Sequence, residues 1–193
     1  LFTGSDTTGS LIASLAGRHL KKSMMELGGN DPMIVFEDAS PKRAAEAALK
    51  SRSINSGQSC NGAKRFLVQE NILAAFIREL QSGIARLQTG DPLLPSTDIG
   101  PIARLDLLEK VRQQVRDTIT QGATMKYQAE ITSENPWCFP PTLLTGVLPH
   151  MTAFNEEIFG PVWSVTSFRD PDEAICLAND SSYGLGASVW TNN

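Results

Sequence analysis

The sequence predicts an α/β protein built on a largely parallel sheet flanked by helices. Short apolar runs of strand character alternate with helix-patterned segments of about 12 to 20 residues, the order that βα units impose. The chain has 193 residues, 41% of them apolar, enough to bury a sizeable core. No internal repeat or low-complexity tract breaks the pattern.

From the N-terminus, residues 1–3 read as a strand end. Gly4-Ser5-Asp6 then leads into TTGSLIASLAGRHL, whose Leu11, Ile12, Leu15 and Ala16 fall at helical spacing, with Gly17 as the stop. KKSMMELGG follows as a short apolar segment. Its two glycines permit a bend that residues with a Cβ resist, so the expected domain boundary lies there, dividing 1–28 from 29–193. PMIVF is a buried strand, Ser40-Pro41 a helix start with proline in the first turn, and KRAAEAALKSRSI an amphipathic helix. RFLVQ is the next strand. Asn71 is placed to cap ILAAFIRELQSGIARLQ, and prolines 92, 95 and 101 mark a loop. The helix RLDLLEKVRQQVRDTITQG stops at Gly122. Beyond it come the strand TMKYQA, a polar loop through Pro136, the segments PPTLLTGV and 151–168, the helix DPDEAICLANDS and a last strand, GASVW.

Seventeen basic against 21 acidic residues leave a net charge of −4. Basic residues gather only in pairs such as Lys21-Lys22 and Lys42-Arg43, so no nucleic-acid partner is expected. No stretch approaches the roughly 20 continuous apolar residues of a membrane span. The N-terminus lacks the basic-then-apolar layout of a secretory signal, which makes the cytoplasm the expected location. Cys60, Cys138 and Cys176 are odd in number and far apart. They fit neither a disulfide framework nor a CxxC metal site and read as free thiols in a reducing compartment, with no metal expected.

Cys60 differs from the other two in its surroundings. NSGQSCNGAKRF sets it among Gly57, Gln58, Ser59, Asn61 and Gly62, where a core thiol would have apolar neighbours. Flanking glycines allow another molecule to approach, and backbone N–H groups in such a loop can face a developing oxyanion. Cys176, between Ile175 and Leu177 on a helix, is expected to be a packed thiol. A nucleophilic Cys60 needs a base or a positive field. Glu26, in MMELGG, could serve as a general base if burial raises its pKa, or could simply be solvated. The only histidines, His19 and His150, read as surface residues, and a Cys–His hydrolase or acyltransferase using Cys60 with His150 is the alternative reading. GSDTTG could present amides to a phosphate at a helix start but is not a Walker loop. EEIFGPV places Glu156 and Glu157 and an aromatic, Phe159, ahead of a Gly-Pro turn.

Together and in this order, FTGSDTTG, ELGGNDP, NSGQSC and EEIFGPV resemble the signature segments of the NAD(P)-dependent aldehyde dehydrogenase family. The likeness continues through TGDPL, GPIAR, PPTLL and LANDSSYGL and so covers the chain. It implies an aldehyde-dehydrogenase-like catalytic domain, with 1–28 as the tail end of a Rossmann-like nucleotide-binding domain. It also implies oxidation of a small aldehyde to the acid with NAD or NADP, in a parent enzyme that is a homo-oligomer, dimer or tetramer. Cys60 matches the nucleophile that forms a thiohemiacetal and then a thioester, and Glu26 the base that activates water. Glu157 matches the residue that holds the nicotinamide ribose, Phe159 one packed near the nicotinamide, and Gly4 and Ser5 the turn and helix start near the pyrophosphate. An oxyanion-hole asparagine and an adenosine-ribose lysine of the family have no counterpart in these residues. The expectation is a catalytic-domain fragment with little or no activity by itself.

Within the family, ARLDL after GP and AKRF look most like bacterial succinate-semialdehyde dehydrogenases. One branch of those enzymes grips the substrate carboxylate with an arginine six positions before the nucleophile. Here that position is Ile54. Arg52 and Arg65 lie nearby in sequence.

Overall fold

The computed structural model describes residues 1–131 and 133–193; Thr132, in the expected polar loop, lies outside the described residues. The chain opens with a parallel pair of two-residue strands, β1 (Phe2–Thr3) and β2 (Met25–Glu26), joined by α1 (Asp6–Arg18). There follow β3 (Pro32–Val35), α2 (Pro41–Ser53), β4 (Arg65–Gln69), α3 (Glu70–Ile84), α4 (Leu105–Thr120) and β5 (Thr124–Gln128). The chain continues through β6 (Thr142–Thr145), a short α5 (Thr152–Asn155), β7 (Val162–Phe168), α6 (Pro171–Asn179) and β8 (Ser188–Trp190).

Strands β3 to β8 form one sheet in the order β5-β6-β7-β4-β3-β8. Only β5 runs antiparallel; the rest are parallel, as the alternation of strands and helices requires. The core has two halves because side chains alternate across a strand. Met33, Val35, Phe66, Val68, Trp163 and Val165 pack against α2 and α3. Ile34, Leu67, Leu144, Val162 and Phe168 face α4, α5 and α6 from the other side. Strands covered on both faces are therefore continuously apolar, and β3 is buried at every position.

Side-chain caps explain half of the helix starts, those of α1, α2 and α6. Ser40 accepts from the Arg43 N–H, with Pro41 opening α2, and Asp170 accepts from the Glu173 N–H at 2.9 Å. Two expectations fail locally. Asn71 does not cap α3, which begins at Glu70 directly from β4; its Nδ2 donates instead to the Glu37 carboxylate. Gly17 does not end α1 but lies inside it, and the left-handed residue beyond the end is Leu20, at φ 54°.

The topology decides where loops meet. β7, β4 and β3 are adjacent and parallel, with Pro32 beside Arg65 and Arg65 beside Ser164. The segments leading into them, around Gly29, Cys60 and Glu157, therefore emerge at one end of the sheet.

Candidate active site

Close backbone approach holds these three segments together. A Cβ on Gly29 would stand 2.5 Å from the Cys60 carbonyl oxygen, and one on Gly28 would stand 2.7 Å from Glu157 Oε2. Neither glycine has a positive φ. Their lack of a side chain serves contact with the neighbouring loops, which corrects the expectation that a bend requires it. The Gly29 N–H donates to Glu157 Oε1 at 3.3 Å, and the Gly28 N–H to Asp6 Oδ1 at 3.1 Å. At the start of α1 the Gly4 N–H donates to the Glu26 carbonyl at 3.0 Å, and Ser5 caps the helix through Thr8. The segments carrying Gly4, Ser5, Glu26, Cys60 and Glu157 are thus linked in series.

The turn before Cys60 is held in an unusual shape. Asn55, Ser56 and Gly57 have φ of 48°, 57° and 75°. The two side-chain-bearing residues each pay roughly 1–2 kcal/mol for a left-handed conformation, so surrounding contacts must fix it. Ser56 Oγ accepts from the Gly100 N–H at 2.8 Å, Gln58 Oε1 from the Ala103 N–H at 2.9 Å, and Gln58 Nε2 donates to the Pro101 carbonyl at 3.3 Å. A Cβ on Gly57 would overlap the Gly160 carbonyl. The turn is wedged between the 100–104 loop and the loop that carries Glu157.

Three buried cations complete the frame. Arg52, fully buried, donates to the carbonyls of Val162 (3.2 Å), Gly160 (2.7 Å) and Ile158. Burial lowers its pKa to about 10, partly offset by Glu157. Arg65 donates to Asn30, Leu177 and Ala178 carbonyls, each at 2.8 Å, fastening the end of α6 to the start of β4. Lys64 Nζ donates to the carbonyls of Ser59 (2.9 Å), Cys60 (2.8 Å) and Gly62 (3.1 Å) and pairs with Glu157 Oε1 at 3.2 Å. Burial, then the Arg52 charge, hold the Lys64 pKa below its usual value, against Glu157. Arg52 and Arg65 are buried and bond backbone carbonyls, with Arg52 Nη1 enclosed and unpartnered, so neither offers itself to a substrate carboxylate; Ile54 stands exposed.

A family model described as the aldehyde dehydrogenase family matches residues 1–193. The chain belongs to the aldehyde dehydrogenase family. It is 44% identical over 191 residues to a probable succinate-semialdehyde dehydrogenase [NADP(+)] of Synechocystis sp., covering 99% of this chain and 42% of that protein. It is 43% identical to the succinate semialdehyde dehydrogenase [NAD(P)+] of Escherichia coli, covering 99% and 41%. The crystal structure of lactaldehyde dehydrogenase from Escherichia coli superposes with a TM-score of 0.94 at 38% identity, over 99% of this chain and 40% of that one. The chain thus spans about two fifths of the length of these relatives.

An aldehyde dehydrogenase uses NAD(P), and the residues here fit part of it. Glu157 Oε1 is fixed by Gly29 and Lys64, while Oε2 lies over Gly28 in a space that a Cβ would fill. Such a held carboxylate can accept hydrogen bonds from a ribose diol. Phe159, half-buried, belongs to the same loop.

Some expectations need correction. Glu26 is exposed, so burial within this chain does not act on its carboxyl. Cys176 is exposed and Cys138 is the packed thiol; Cys60 is half-buried. Ile175 is exposed beside Cys176, so that side of α6 faces outward. His19 caps α1 and His150 sits in the turn before α5, both exposed as expected. Sequence reading missed Lys64 and noted Arg52 only for its nearness to Cys60 in sequence. A signal was present for Lys64: AKRF puts two cations directly between a glycine-flanked loop and a buried strand, where neither can reach water.

Proposed function

We propose that the protein carrying these residues oxidises a short aldehyde to its carboxylic acid with NAD(P)+, in the cytoplasm. The observation that carries the reading is the convergence of the Cys60 turn, the Gly28-Gly29 segment and the Glu157 carboxylate at one end of the sheet. The bound cofactor supplies a hydride acceptor.

Cys60 Sγ, as thiolate, adds to the aldehyde carbon and forms a C–S bond, leaving negative charge on the former carbonyl oxygen. Sulfur suits the step because it adds readily and later leaves well. The turn offers backbone N–H groups to that oxygen. Loss of hydride from the same carbon restores the C=O bond as a thioester on Cys60. Glu26 then takes a proton from water as the water oxygen adds to the thioester. The C–S bond breaks, the acid departs and the thiolate returns. With the cofactor bound, Glu157 would hold the nicotinamide ribose, Phe159 would pack near the ring, and Gly4 and Ser5 at the start of α1 would lie by the pyrophosphate.

The relatives named for succinate semialdehyde put that compound first among substrates. If it is the substrate, its carboxylate is held by groups other than Arg52 and Arg65, which are already committed. The test is an assay of the full-length protein with succinate semialdehyde, lactaldehyde and propanal, each with NAD+ and NADP+. Nicotinamide reduction should appear and vanish in Cys60→Ser. Turnover that ignores the cofactor and disappears in His150→Ala would instead establish the hydrolase or acyltransferase reading.

A further inference from the structure

Lys64 does more than neutralise Glu157. Its side chain is 3% exposed, and of the four acceptors of its ammonium two are the carbonyls on either side of the Cys60 Cα, those of Ser59 and Cys60 itself. The first matters most. The Ser59 carbonyl and the Cys60 N–H belong to one planar trans peptide, in which C=O and N–H point in opposite directions. Fixing the oxygen on Lys64 therefore aims the N–H away from Lys64. An ammonium on the carbonyl oxygen also draws electron density from the amide and makes its N–H a stronger donor.

That N–H is free for use. Among the described residues it donates to no protein acceptor, although the carbonyl of the same peptide is bonded. When Sγ adds to a carbonyl, the oxyanion forms one bond from the carbon attached to Sγ, within reach of the nucleophile's own backbone N–H. Gly29 also lies close against the Cys60 carbonyl, whose oxygen a Cβ there would approach to 2.5 Å. An ammonium has three N–H bonds, enough for the carbonyls of Ser59, Cys60 and Gly62 whether or not Glu157 stays.

Resting on the reading of Cys60 as an acyl-accepting nucleophile, we propose that Lys64 is a positioning residue that aims and polarises the Cys60 N–H toward the oxyanion. It acts through the Ser59–Cys60 peptide and touches neither substrate nor cofactor.

The test compares two reactions of Cys60 in the full-length protein without cofactor. With 4-nitrophenyl acetate, Sγ bonds to the acyl carbon through an oxyanion and 4-nitrophenolate leaves. With iodoacetamide, Sγ displaces iodide and no oxyanion forms. Both rates are taken at their high-pH plateaus, which removes any change in thiol pKa. Lys64→Met should slow the 4-nitrophenolate burst at least about tenfold and leave alkylation within about twofold of the parent. Lys64→Arg, which keeps the cation, should recover part of the burst rate. An unchanged burst, or a burst and alkylation that fall together, overturns the proposal. If Lys64→Met does not fold, Lys64→Gln, which keeps two N–H donors, is read against the same outcomes. Failure of the parent to reduce NAD(P)+ with any aldehyde counts against the proposed function alone, since neither probe uses the cofactor.

Discussion

The side of the site that holds the proposed nucleophile and the side that holds the proposed base are built differently. Around Cys60 the chain places three buried cations, three consecutive positive φ angles and a wedge of glycines against backbone. Around Glu26 it offers a two-residue strand paired with another, and an exposed carboxylate. On the proposed mechanism, the difference teaches that rigidity is placed at the step in which charge develops on the substrate. The proton acceptor hangs from a light support, tied to the rest through Gly28 and Gly29. Damage to the first side should appear as lost stability, and damage to the second as lost chemistry in a fold that stands.

Arg52→Met gives the largest expected effect. It relieves the burial of a charge, but it takes the guanidinium donor from the carbonyls of Ile158 and Val162, each worth about 1–3 kcal/mol when buried without a donor, and leaves Gly160 only the Val162 N–H. The carbonyls outweigh the relief, and urea unfolding of the full-length protein should show a loss of about 3 kcal/mol or more. Stability equal to the parent would mean that the clamp is idle.

Gly57→Ala comes next. The new methyl meets both a φ of 75° and the Gly160 carbonyl. A loss of about 2–3 kcal/mol is expected, with aldehyde turnover falling further than the residual folded fraction explains. Calorimetry beside an activity assay separates the two contributions.

Glu26→Gln should be the mildest to the fold, within about 0.5 kcal/mol of the parent, because the side chain is exposed. Its effect is on chemistry: the thioester forms and persists. Mass spectrometry of protein quenched during turnover should find the acyl group on Cys60. A thioester that clears at the parental rate would remove Glu26 from the role of base, and a large loss of stability would erase the contrast between the two sides.

Much of this was legible in the sequence. RFLVQ is β4 residue for residue, and PMIVF, Ser40-Pro41 and Gly122 fall where local patterning puts them. Buried parallel strands announce themselves through continuous apolarity, and caps through residues that bond their own neighbours. Contacts between distant loops leave no such trace. Gly28 and Gly29 look like a hinge in one dimension, yet each is small because a loop remote in sequence presses on it. Nothing local in the sequence tells that Lys64 and Arg52 end among backbone carbonyls, because the Ile158, Gly160 and Val162 carbonyls that Arg52 meets lie over 100 residues away. Cys176 shows the reverse: apolar neighbours in sequence did not mean a packed position on α6.

The placement of the site at the amino ends of β3, β4 and β7 has an electrical consequence. In a βα sheet the helices run opposite to the strands, so their carboxyl ends, rich in unpaired carbonyls and carrying about half a negative charge, gather where parallel strands begin. α2 ends toward the Cys60 turn, and α6 ends on Arg65. A thiolate and an oxyanion placed there would meet a repelling field. Arg65 opposes it at the end of α6 by binding the carbonyls of Leu177 and Ala178, and Lys64 and Arg52 add positive charge on the loop carbonyls around the turn.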